Sequence, residues 1–406
     1  MKKRVAILVG VPTPYREPVF ERLARSADYD IQVLYCRDHQ PGQQWRLGAP
    51  VYPARYLKNL APERWHGRLL VGAINPSVWR ELRAFRPDAV IIYGYNTATT
   101  LLAILWGITH RIPMLMRSDS NVLAEPGKAH IRLTLKRLLL RWLTRRVSAF
   151  LCVGTMNSQY WQFYGATPEK IFLARYAVDN ERFQTQADYY RVSRQTIRDE
   201  NGWRQRYLLL YVGRLVAFKR VDVLIEALRR LSTKRSDVGL VIVGDGRERE
   251  RLERLAHGMP YVYFAGFQDQ SDLPKYYGVA DIFVLPSECE PWGLVVNEAM
   301  ASGLPVIATE KVGAAHDLII EGEDGYLVPE NDPVALASAI DRACESEQRL
   351  LLLGEKARCT VQDWNYDSTL AGFHNALSMC FEAKNSPADD SFHESRSELG
   401  DGSDPF

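Results

Sequence analysis

The chain has 406 residues, which is too long for one typical hydrophobic core and predicts two domains with a tail. Hydrophobic residues make up 46% and charged residues 25%, an ordinary composition for a soluble globular protein. The formal net charge of +2 gives no basis for general nucleic-acid binding, so any basic function must be local.

The amino-terminal sequence MKKRVAILVGVPTP places a basic end before an apolar run, as a signal peptide does. That run is too short before Pro12 for a signal peptide, so we interpret it as a first buried strand. No stretch is long and apolar enough to span a membrane. The six cysteines are scattered, with no CxxC pair and no metal-ligand spacing, which favours reduced thiols in a cytoplasmic protein.

Apolar runs of strand length alternate with helical patterns in the first half, which predicts βαβ units and a parallel sheet. The predicted strands are 4–11, 31–36, 89–93, 114–116 and 150–154, and the predicted helices include 17–25, 76–85, 97–109 and 128–146. We assign residues 1–183 to this first domain. The polar stretch 184–203 is predicted to connect it to the next domain.

The second half repeats the alternation over residues 204–366. Its predicted strands are 208–212, 239–243, 261–265, 281–286, 305–308 and 326–328, with helices that include 221–231, 248–257 and 334–344. Two doubly wound α/β domains with a cleft between their strand ends follow from this pattern. Residues 367–384 predict a closing helix, and the Ser-, Asp- and Gly-rich residues 385–406 predict a disordered tail.

The stretch 286–303, PSECEPWGLVVNEAMASG, joins a predicted strand end to a helix predicted over 292–301. A helix that begins just beyond a strand offers unpaired N–H groups to a phosphate, and Gly293 lets the backbone approach it. Glu290 is predicted at the mouth of this site. Glu298 lies among apolar residues and needs donors, which a ribose diol or a core arginine would supply.

Two cations, Arg214 and Lys219, follow Gly213 between a predicted strand and a helix start. Because the positive end of a helix disfavours cations, their position suggests that an anion joins them. The alternative is that both are solvated surface residues. Phe267 follows the strand 261–265, where it either stacks on a nucleobase or belongs to the core.

Five segments, taken in order, resemble the family-4 retaining glycosyltransferases. They are VGRLVAFKRVDVLIEAL, VIVGDG, FAGF, ECEPWGLVVNEAMASGLPVIAT and DGYLVP. The resemblance covers about residues 207–329 and implies the GT-B fold, with two Rossmann-like domains facing a central cleft and a carboxy-terminal helix that crosses back to the first domain. It also implies a hexosyl transfer from a UDP- or GDP-sugar to a hydroxyl acceptor. Such an enzyme would serve polysaccharide, glycolipid or other glycoconjugate synthesis.

The same resemblance assigns roles to residues of this chain. Arg214 and Lys219 match the pair that neutralises the diphosphate, with Gly213 beside them. Glu290 and Glu298 match the two glutamates of the EX7E pattern, the first for the donor sugar and the second for the ribose. The list of nucleotide-sugar contacts is completed by Phe267 at the base and the backbone of Gly293, Leu294 and Val295 at the phosphates. In the first half, Asp119 stands where the family often has a cleft histidine, which leaves acceptor recognition open.

The resemblance implies no prosthetic group, and the two cations make a metal unnecessary for a departing diphosphate. The remaining alternatives are an epimerase or phosphorylase on the same fold, and a non-catalytic sugar-nucleotide-binding scaffold.

Residues 128–146, KAHIRLTLKRLLLRWLTRR, have a helical pattern with an apolar face and several cations. The apolar face comprises Ile131, Leu135, Leu138, Leu139 and Trp142, while Arg132, Lys136 and Arg145 lie mostly elsewhere. One interpretation is a helix packed on the sheet with its basic face in water. The other is a peripheral contact with anionic lipid, on the cytoplasmic face of a membrane.

Overall fold

The computed structural model describes residues 1–39, 47–65, 67–68, 70–124 and 131–385. Within these residues the chain forms two sheets in which every paired strand is parallel. The predicted alternation of strands and helices is therefore confirmed. Of the predicted tail 385–406, Asn385 belongs instead to the last helix, and 386–406 lie outside the described residues, as do residues 128–130 of the predicted basic helix.

The first sheet has seven strands in the order β3-β2-β1-β4-β5-β6-β7. Its strands are β1 (Lys3–Val9), β2 (Tyr29–Tyr35), β3 (Ala54–Tyr56), β4 (Ala89–Tyr93), β5 (Met114–Ser118), β6 (Ala149–Cys152) and β7 (Ile171–Leu173). The helices of this half are α1 (Glu17–Arg25), α2 (Val78–Phe85), α3 (Ala98–Thr109), α4 (Ile131–Arg146) and α5 (Thr155–Phe163). The amino-terminal apolar run is a buried strand, as predicted, and it lies in the middle of the sheet.

The second sheet has six strands in the order β10-β9-β8-β11-β12-β13. They are β8 (Tyr207–Val212), β9 (Val238–Val243), β10 (Val262–Gly266), β11 (Ile282–Leu285), β12 (Val306–Thr309) and β13 (Gly325–Val328). Its helices are α8 (Val221–Leu231), α9 (Arg249–Leu255), α10 (Leu273–Val279), α11 (Leu294–Ala301), α12 (Ala315–Leu318), α13 (Pro333–Ala343) and α14 (Glu347–Val361).

Each sheet changes its winding direction at one pair of strands, β1 and β4 in the first and β8 and β11 in the second. Ligands of open α/β sheets bind beyond the carboxyl ends of the strands at such a switch point. A ligand-binding site is therefore expected at the loops after β1, β8 and β11.

Residues 184–203, predicted as the connection, are largely helical. They include most of α6 (Asn180–Val192) and all of α7 (Arg194–Glu200). Both helices pack against α10, and α6 also packs against α11. Phe183 is buried in the core of the second half and lies edge-on to Tyr277. The connection is thus attached to helices of the second half, while the domain boundaries at 183 and 203 remain a prediction.

The last described helix, α15 (Tyr366–Asn385), crosses back to the first sheet, as predicted. Phe373, Ala376 and Leu377 are buried in the core that covers one face of that sheet. Thr369 also donates a hydrogen bond to the carbonyl of Arg175, at 2.7 Å. The chain therefore closes the first domain with residues that follow the second.

We predict that Phe373→Ala destabilises the protein by about 3–5 kcal/mol, because it leaves a cavity between α15 and the first sheet. Urea unfolding measures the loss. The exposed neighbour Asn375, changed to Ala, is the matched control and is expected to have little effect. Equal stabilities of the two variants would contradict the docking of α15.

Candidate active site

The turn Glu290–Gly293 follows β11 at the switch point of the second sheet. Gly293 has a φ of +98°, and α11 begins at the next residue. The predicted helix start at Trp292 is two residues early, since Gly293 adopts the left-handed conformation that breaks the helix there. A Cβ on Gly293 would lie 3.2 Å from Cγ of Glu290. The turn is therefore closely packed around the predicted phosphate position.

Lys219 and Glu290 form an ion pair across this turn. Their side chains are only 13% and 14% exposed, so water screens the pair weakly. Lys219 ends a short 3-10 turn after β8, and Glu290 follows β11, so the neighbouring strands bring them together. Two residues predicted for the same site thus make direct contact.

Arg214 follows Gly213 at the carboxyl end of β8 and is exposed. Its guanidinium has no ion-pair partner among the residues that the structure describes. A Cβ at Gly244 would overlap the carbonyl oxygen of Gly213, so two glycine-containing strand ends touch here. The hydroxyl of Tyr211 donates to the carbonyl of Arg214 at 3.1 Å, and this hydrogen bond holds the loop that follows β8.

Phe267 lies just beyond β10 and is 37% exposed. It is therefore not a core residue, and its ring is accessible at the same edge of the sheet. Leu294 and Val295, at the start of α11, are half-buried. Together with the preceding turn they place the first amides of a helix at the carboxyl edge.

Glu298 lies in the second turn of α11 and is fully buried. Its carboxylate accepts hydrogen bonds from Tyr277 at 2.7 Å and from Tyr15 at 2.6 Å. Tyr277 belongs to α10, whereas Tyr15 lies in the loop after β1 of the other domain. The expectation that this carboxylate needs donors is confirmed, and the donors are tyrosines instead of a core arginine.

Burial raises the pKa of Glu298 to about 7, although the two tyrosine hydroxyls and the nearby Arg182 lower it in part. Burial and the adjacent carboxylate together raise the pKa values of Tyr15 and Tyr277 well above the usual value of a tyrosine. Both tyrosines therefore remain protonated donors at neutral pH. The carboxylate gains a proton near neutrality.

Asp119 follows β5 and is exposed on the first-domain side. Burial lowers the pKa of the Arg16 guanidinium, but Tyr176, Tyr93 and Asp119 outweigh it and leave that pKa raised. Asp119 thus lies within electrostatic range of the loop that carries Tyr15. No group of three or more His, Cys, Asp or Glu in the described part of the chain is placed to hold a metal ion.

The first domain also holds the backbone of the Glu290–Gly293 turn. The amide of Asn121 donates to the carbonyl of Pro291 at 2.9 Å. Trp292 is buried, stacks on Trp364 with centroids 4.9 Å apart, and would overlap a Cβ placed on Gly154. The glutamate of this turn is consequently positioned by both domains.

A further contact between the halves lies at the amino-terminal end of α5. The backbone N–H of Thr155 donates to Asp317 at 2.9 Å, and its hydroxyl donates to the same carboxylate. A carboxylate at this end of a helix is favoured by the helix dipole.

Sequence reasoning missed Tyr15, Tyr277, Asn121 and Asp317. Tyr15 had one usable signal, because it stands in the loop after the first strand, where a switch point is expected. The other three residues carry no local pattern. Their partners are distant along the chain, and only the packed structure brings them together.

Comparison with known proteins agrees with the geometry. A family model of the glycosyl transferases group 1 matches residues 193–360, and a model of the glycosyl transferase 4-like domain matches residues 12–177. The two models together cover most of the chain, which is therefore a family-4-like GT-B glycosyltransferase. This glycosyltransferase has the two-domain GT-B fold of its structural neighbours, which confirms the predicted fold. Among them, Anabaena HepE in complex with UDP has a TM-score of 0.71 at 19% identity, covering 93% of this chain and 100% of that one.

Several relatives of the glycosyltransferase have named activities. The sulfoquinovosyl transferase of Arabidopsis thaliana is 27% identical over 90% of this chain and 72% of its own length. A GDP-mannose-dependent α-(1-6)-phosphatidylinositol monomannoside mannosyltransferase of Mycolicibacterium smegmatis is 29% identical over 51% of this chain and 56% of its own. This chain spans about half the length of several other relatives that it matches.

The buried carboxylate of the glycosyltransferase predicts a pH dependence of its stability. The folded-state pKa of Glu298, about 7, lies above the ordinary value of 4.5, so the folded protein binds a proton more readily than the unfolded one. The contribution of this group is present below pH 4.5 and is lost as the pH rises towards 7. Relative to Glu298→Gln, the wild type should lose up to about 3 kcal/mol across that window.

Urea unfolding of both proteins at several pH values between 5 and 8 measures this difference. The exposed Glu250 of α9, changed to Gln, is the control and should follow the wild type at every pH. A stability difference between wild type and E298Q that stays constant over the range would contradict the raised pKa.

Proposed function

We propose that the chain is a retaining glycosyltransferase that moves a hexosyl unit from a UDP- or GDP-sugar to a hydroxyl acceptor. The observation that carries this proposal is the Lys219–Glu290 pair beside the Gly293 turn, at the switch point of the second sheet. Lys219 there offers a cation to a diphosphate, and the adjacent Glu290 offers a carboxylate to sugar hydroxyls. The nucleotides named for the relatives, UDP and GDP-mannose, support this donor class.

The diphosphate would lie between the two cations and the start of α11. Lys219 and the exposed Arg214 would neutralise it, and the backbone of Gly293, Leu294 and Val295 would donate hydrogen bonds. Preorganised cations stabilise a departing diphosphate directly, so the proposed reaction needs no metal. Persistence of activity in the presence of a chelator tests that part.

The donor sugar would contact Glu290, and the nucleobase would contact Phe267. Because Glu290 is paired with Lys219, the donor must exchange one partner of that pair for its own groups. Glu298 is the proposed ribose ligand. Its two oxygens already accept from Tyr15 and Tyr277, so a ribose diol must share this carboxylate or displace the hydroxyl of Tyr15.

Transfer with retention would place the acceptor hydroxyl on the same face as the leaving diphosphate. The bond from the anomeric carbon to the phosphate oxygen breaks, the bond to the acceptor oxygen forms, and a donor phosphate oxygen takes the acceptor proton. The first domain would hold the acceptor, with Asp119 at the edge of that region. The anomeric configuration of the product, measured by NMR, tests retention.

We predict that Lys219→Ala lowers kcat/KM by about a hundredfold, because one charge contact to the leaving group is worth on the order of 3 kcal/mol. Initial rates with the preferred donor measure the loss. Lys234→Ala, an exposed lysine after α8, is the control and should keep wild-type rates. Undiminished biological activity of K219A would favour the non-catalytic scaffold instead.

Calorimetric titration with UDP, GDP and ADP and their sugars identifies the donor. Failure of all of them to bind would contradict the proposed donor site. Incubation of the bound nucleotide sugar without an acceptor separates the remaining enzymatic alternative, because formation of an epimer would favour an epimerase. Cleavage of a glycoside by inorganic phosphate would favour a phosphorylase.

A second proposal concerns α4 and a membrane surface. No described helix is both long and apolar enough to cross a bilayer. Leu138, Leu139 and Trp142 are nevertheless 62%, 42% and 42% exposed, whereas Leu140 and Leu143 are buried. Part of the predicted apolar face thus points to solvent, and the expectation that it packs on the sheet is wrong for these three residues.

Arginines flank that exposed apolar surface, since Arg137, Arg141 and Arg145 are also exposed. Lys136 does not belong to the surface, because it is half-buried with its ammonium over the Tyr160 ring. An apolar strip with surrounding cations suits contact with anionic lipid. The relative from Mycolicibacterium smegmatis is named for a phosphatidylinositol monomannoside acceptor, which fits an acceptor at a lipid surface.

We predict that the double variant Arg141→Glu/Arg145→Glu binds vesicles containing anionic phosphatidylglycerol at least about tenfold more weakly, because each arginine near such a surface contributes about 1 kcal/mol. Co-sedimentation with vesicles measures the binding. The exposed pair Arg80→Glu/Arg83→Glu on α2 is the control with an equal change of charge. Equal sedimentation of the two variants would contradict the proposed contact of α4 with the membrane surface.

A further inference from the structure

A cavity lies at the edge of the second sheet opposite to the proposed donor site. It has a volume of about 560 Å³ and is bounded by α6, α7 and α14 and by the residues that precede β8, β11 and β12. The proposed donor site is at the carboxyl ends of these strands, so the cavity is separate from it. Six arginines line it: Arg191, Arg194, Arg198, Arg204, Arg206 and Arg358.

Carboxylates are too few to pair with these guanidinium groups one to one. Asp281 accepts from Arg194 at 2.5 Å and from Arg198 at 2.7 Å. Asp188 accepts from Arg191 at 2.9 Å, and the same oxygen also accepts from Arg358. Two carboxylates therefore serve four arginines.

The other two arginines add further positive charge. Arg206 pairs with Glu347, which is 66% exposed. Arg204 has no hydrogen bond or ion pair with any residue in the described ranges. Glu355 also lines the cavity. Six guanidinium groups are thus matched by four carboxylates, Asp188, Asp281, Glu347 and Glu355.

Helix ends account for part of this excess. Arg191 and Arg358 donate to the carbonyl of Ser302 after α11, and Arg198 donates to the carbonyl of Val279 at the end of α10. A helix carboxyl end carries roughly half a negative charge, so the two ends offset about one of the two uncompensated charges. The carbonyls also hold the guanidinium groups in fixed positions.

The remaining positive charge is partly buried. Burial lowers the pKa of Arg191, and the adjacent Arg358 lowers it further. The Nε of Arg358 is buried and has no hydrogen-bond partner. These features indicate an arrangement that an additional anion would stabilise.

We propose that this cavity binds a small, soluble, multiply charged anion that carries phosphate groups. Guanidinium groups present planar pairs of donors that match phosphate oxygens, and fixed arginines lose little freedom when they bind. The volume suits a molecule of nucleotide or sugar phosphate size. Neither the proposed transfer reaction nor the family assignment requires this second site.

Inorganic pyrophosphate is the probe, and the test uses the full chain with Lys219→Ala to weaken binding at the donor site. Calorimetric titration of that protein is expected to show one remaining site. Adding Arg191→Gln and Arg204→Gln should weaken this site by about tenfold or more. Both changes are chosen because Asp188 keeps Arg358 as its partner and Arg204 leaves no carboxylate unpaired.

The control adds Arg230→Gln and Arg254→Gln, which are exposed arginines of the same domain, and should leave the affinity unchanged. Absence of pyrophosphate binding to K219A, or equal binding by both sets of variants, would overturn the proposal. Binding of the K219A chain to phosphatidic acid vesicles through the two arginines, without binding of free pyrophosphate, would also overturn it in favour of a lipid headgroup.

Hydrogen exchange on the K219A chain gives a test that does not depend on the folding of the arginine variants. Pyrophosphate is expected to slow exchange in α7 and α14, which bound the cavity on two sides. Protection confined to the loops after β8 and β11 would place the anion at the donor site and overturn the proposal.

Discussion

The site is organised by the burial of one carboxylate. Glu298 has no exposed surface, and an unpaired charge in such a place is strongly unfavourable. The required donors come from two directions, Tyr277 on α10 and Tyr15 in the loop after β1. Satisfying this carboxylate therefore joins the two domains at a hydrogen bond between residues far apart in the chain. The raised pKa of Glu298 reflects the same burial, which the two hydroxyls offset only in part.

The contacts around Trp292 extend this coupling to the turn that carries Glu290. Asn121 holds a carbonyl of the turn from the first domain, and Trp292 fills the space between Tyr176 and Trp364. A change in the separation of the domains would disturb Glu290 and Glu298 together. Under the proposed function, Glu290 contacts the donor sugar and Glu298 contacts the ribose. Closure of the two domains would then affect both contacts together.

The fold was accessible from sequence, and a candidate site could be placed beyond a strand end, because both inferences use local signals. Buried strands read as apolar runs, and Gly293 and Gly303, with φ values of +98° and +79°, mark where α11 begins and ends. The face of α4 that points outward was not accessible in this way. An amphipathic pattern shows that two faces differ, but only the contacts of Leu140 and Leu143 show which one the sheet covers.

Long-range partners were inaccessible for a similar reason. Glu298 could be recognised as a group in need of donors, yet the choice among a ribose, an arginine and two tyrosines depends on residues separated by many loops. The helical connection of α6 and α7 illustrates the same limit. Its polar composition is that of a surface segment, while the buried Phe183 anchors it to the second core.

The two cations of the proposed donor site differ in a way that bears on how a diphosphate would enter. Lys219 is already paired and largely buried, whereas Arg214 is exposed and without an ion-pair partner in the described part of the chain. An incoming diphosphate would meet Arg214 first, since no existing contact has to break. Engagement of Lys219 requires that Glu290 release it, and the sugar hydroxyls offer Glu290 a replacement. Under this order, the complete donor would open the ion pair more readily than a nucleotide without its sugar.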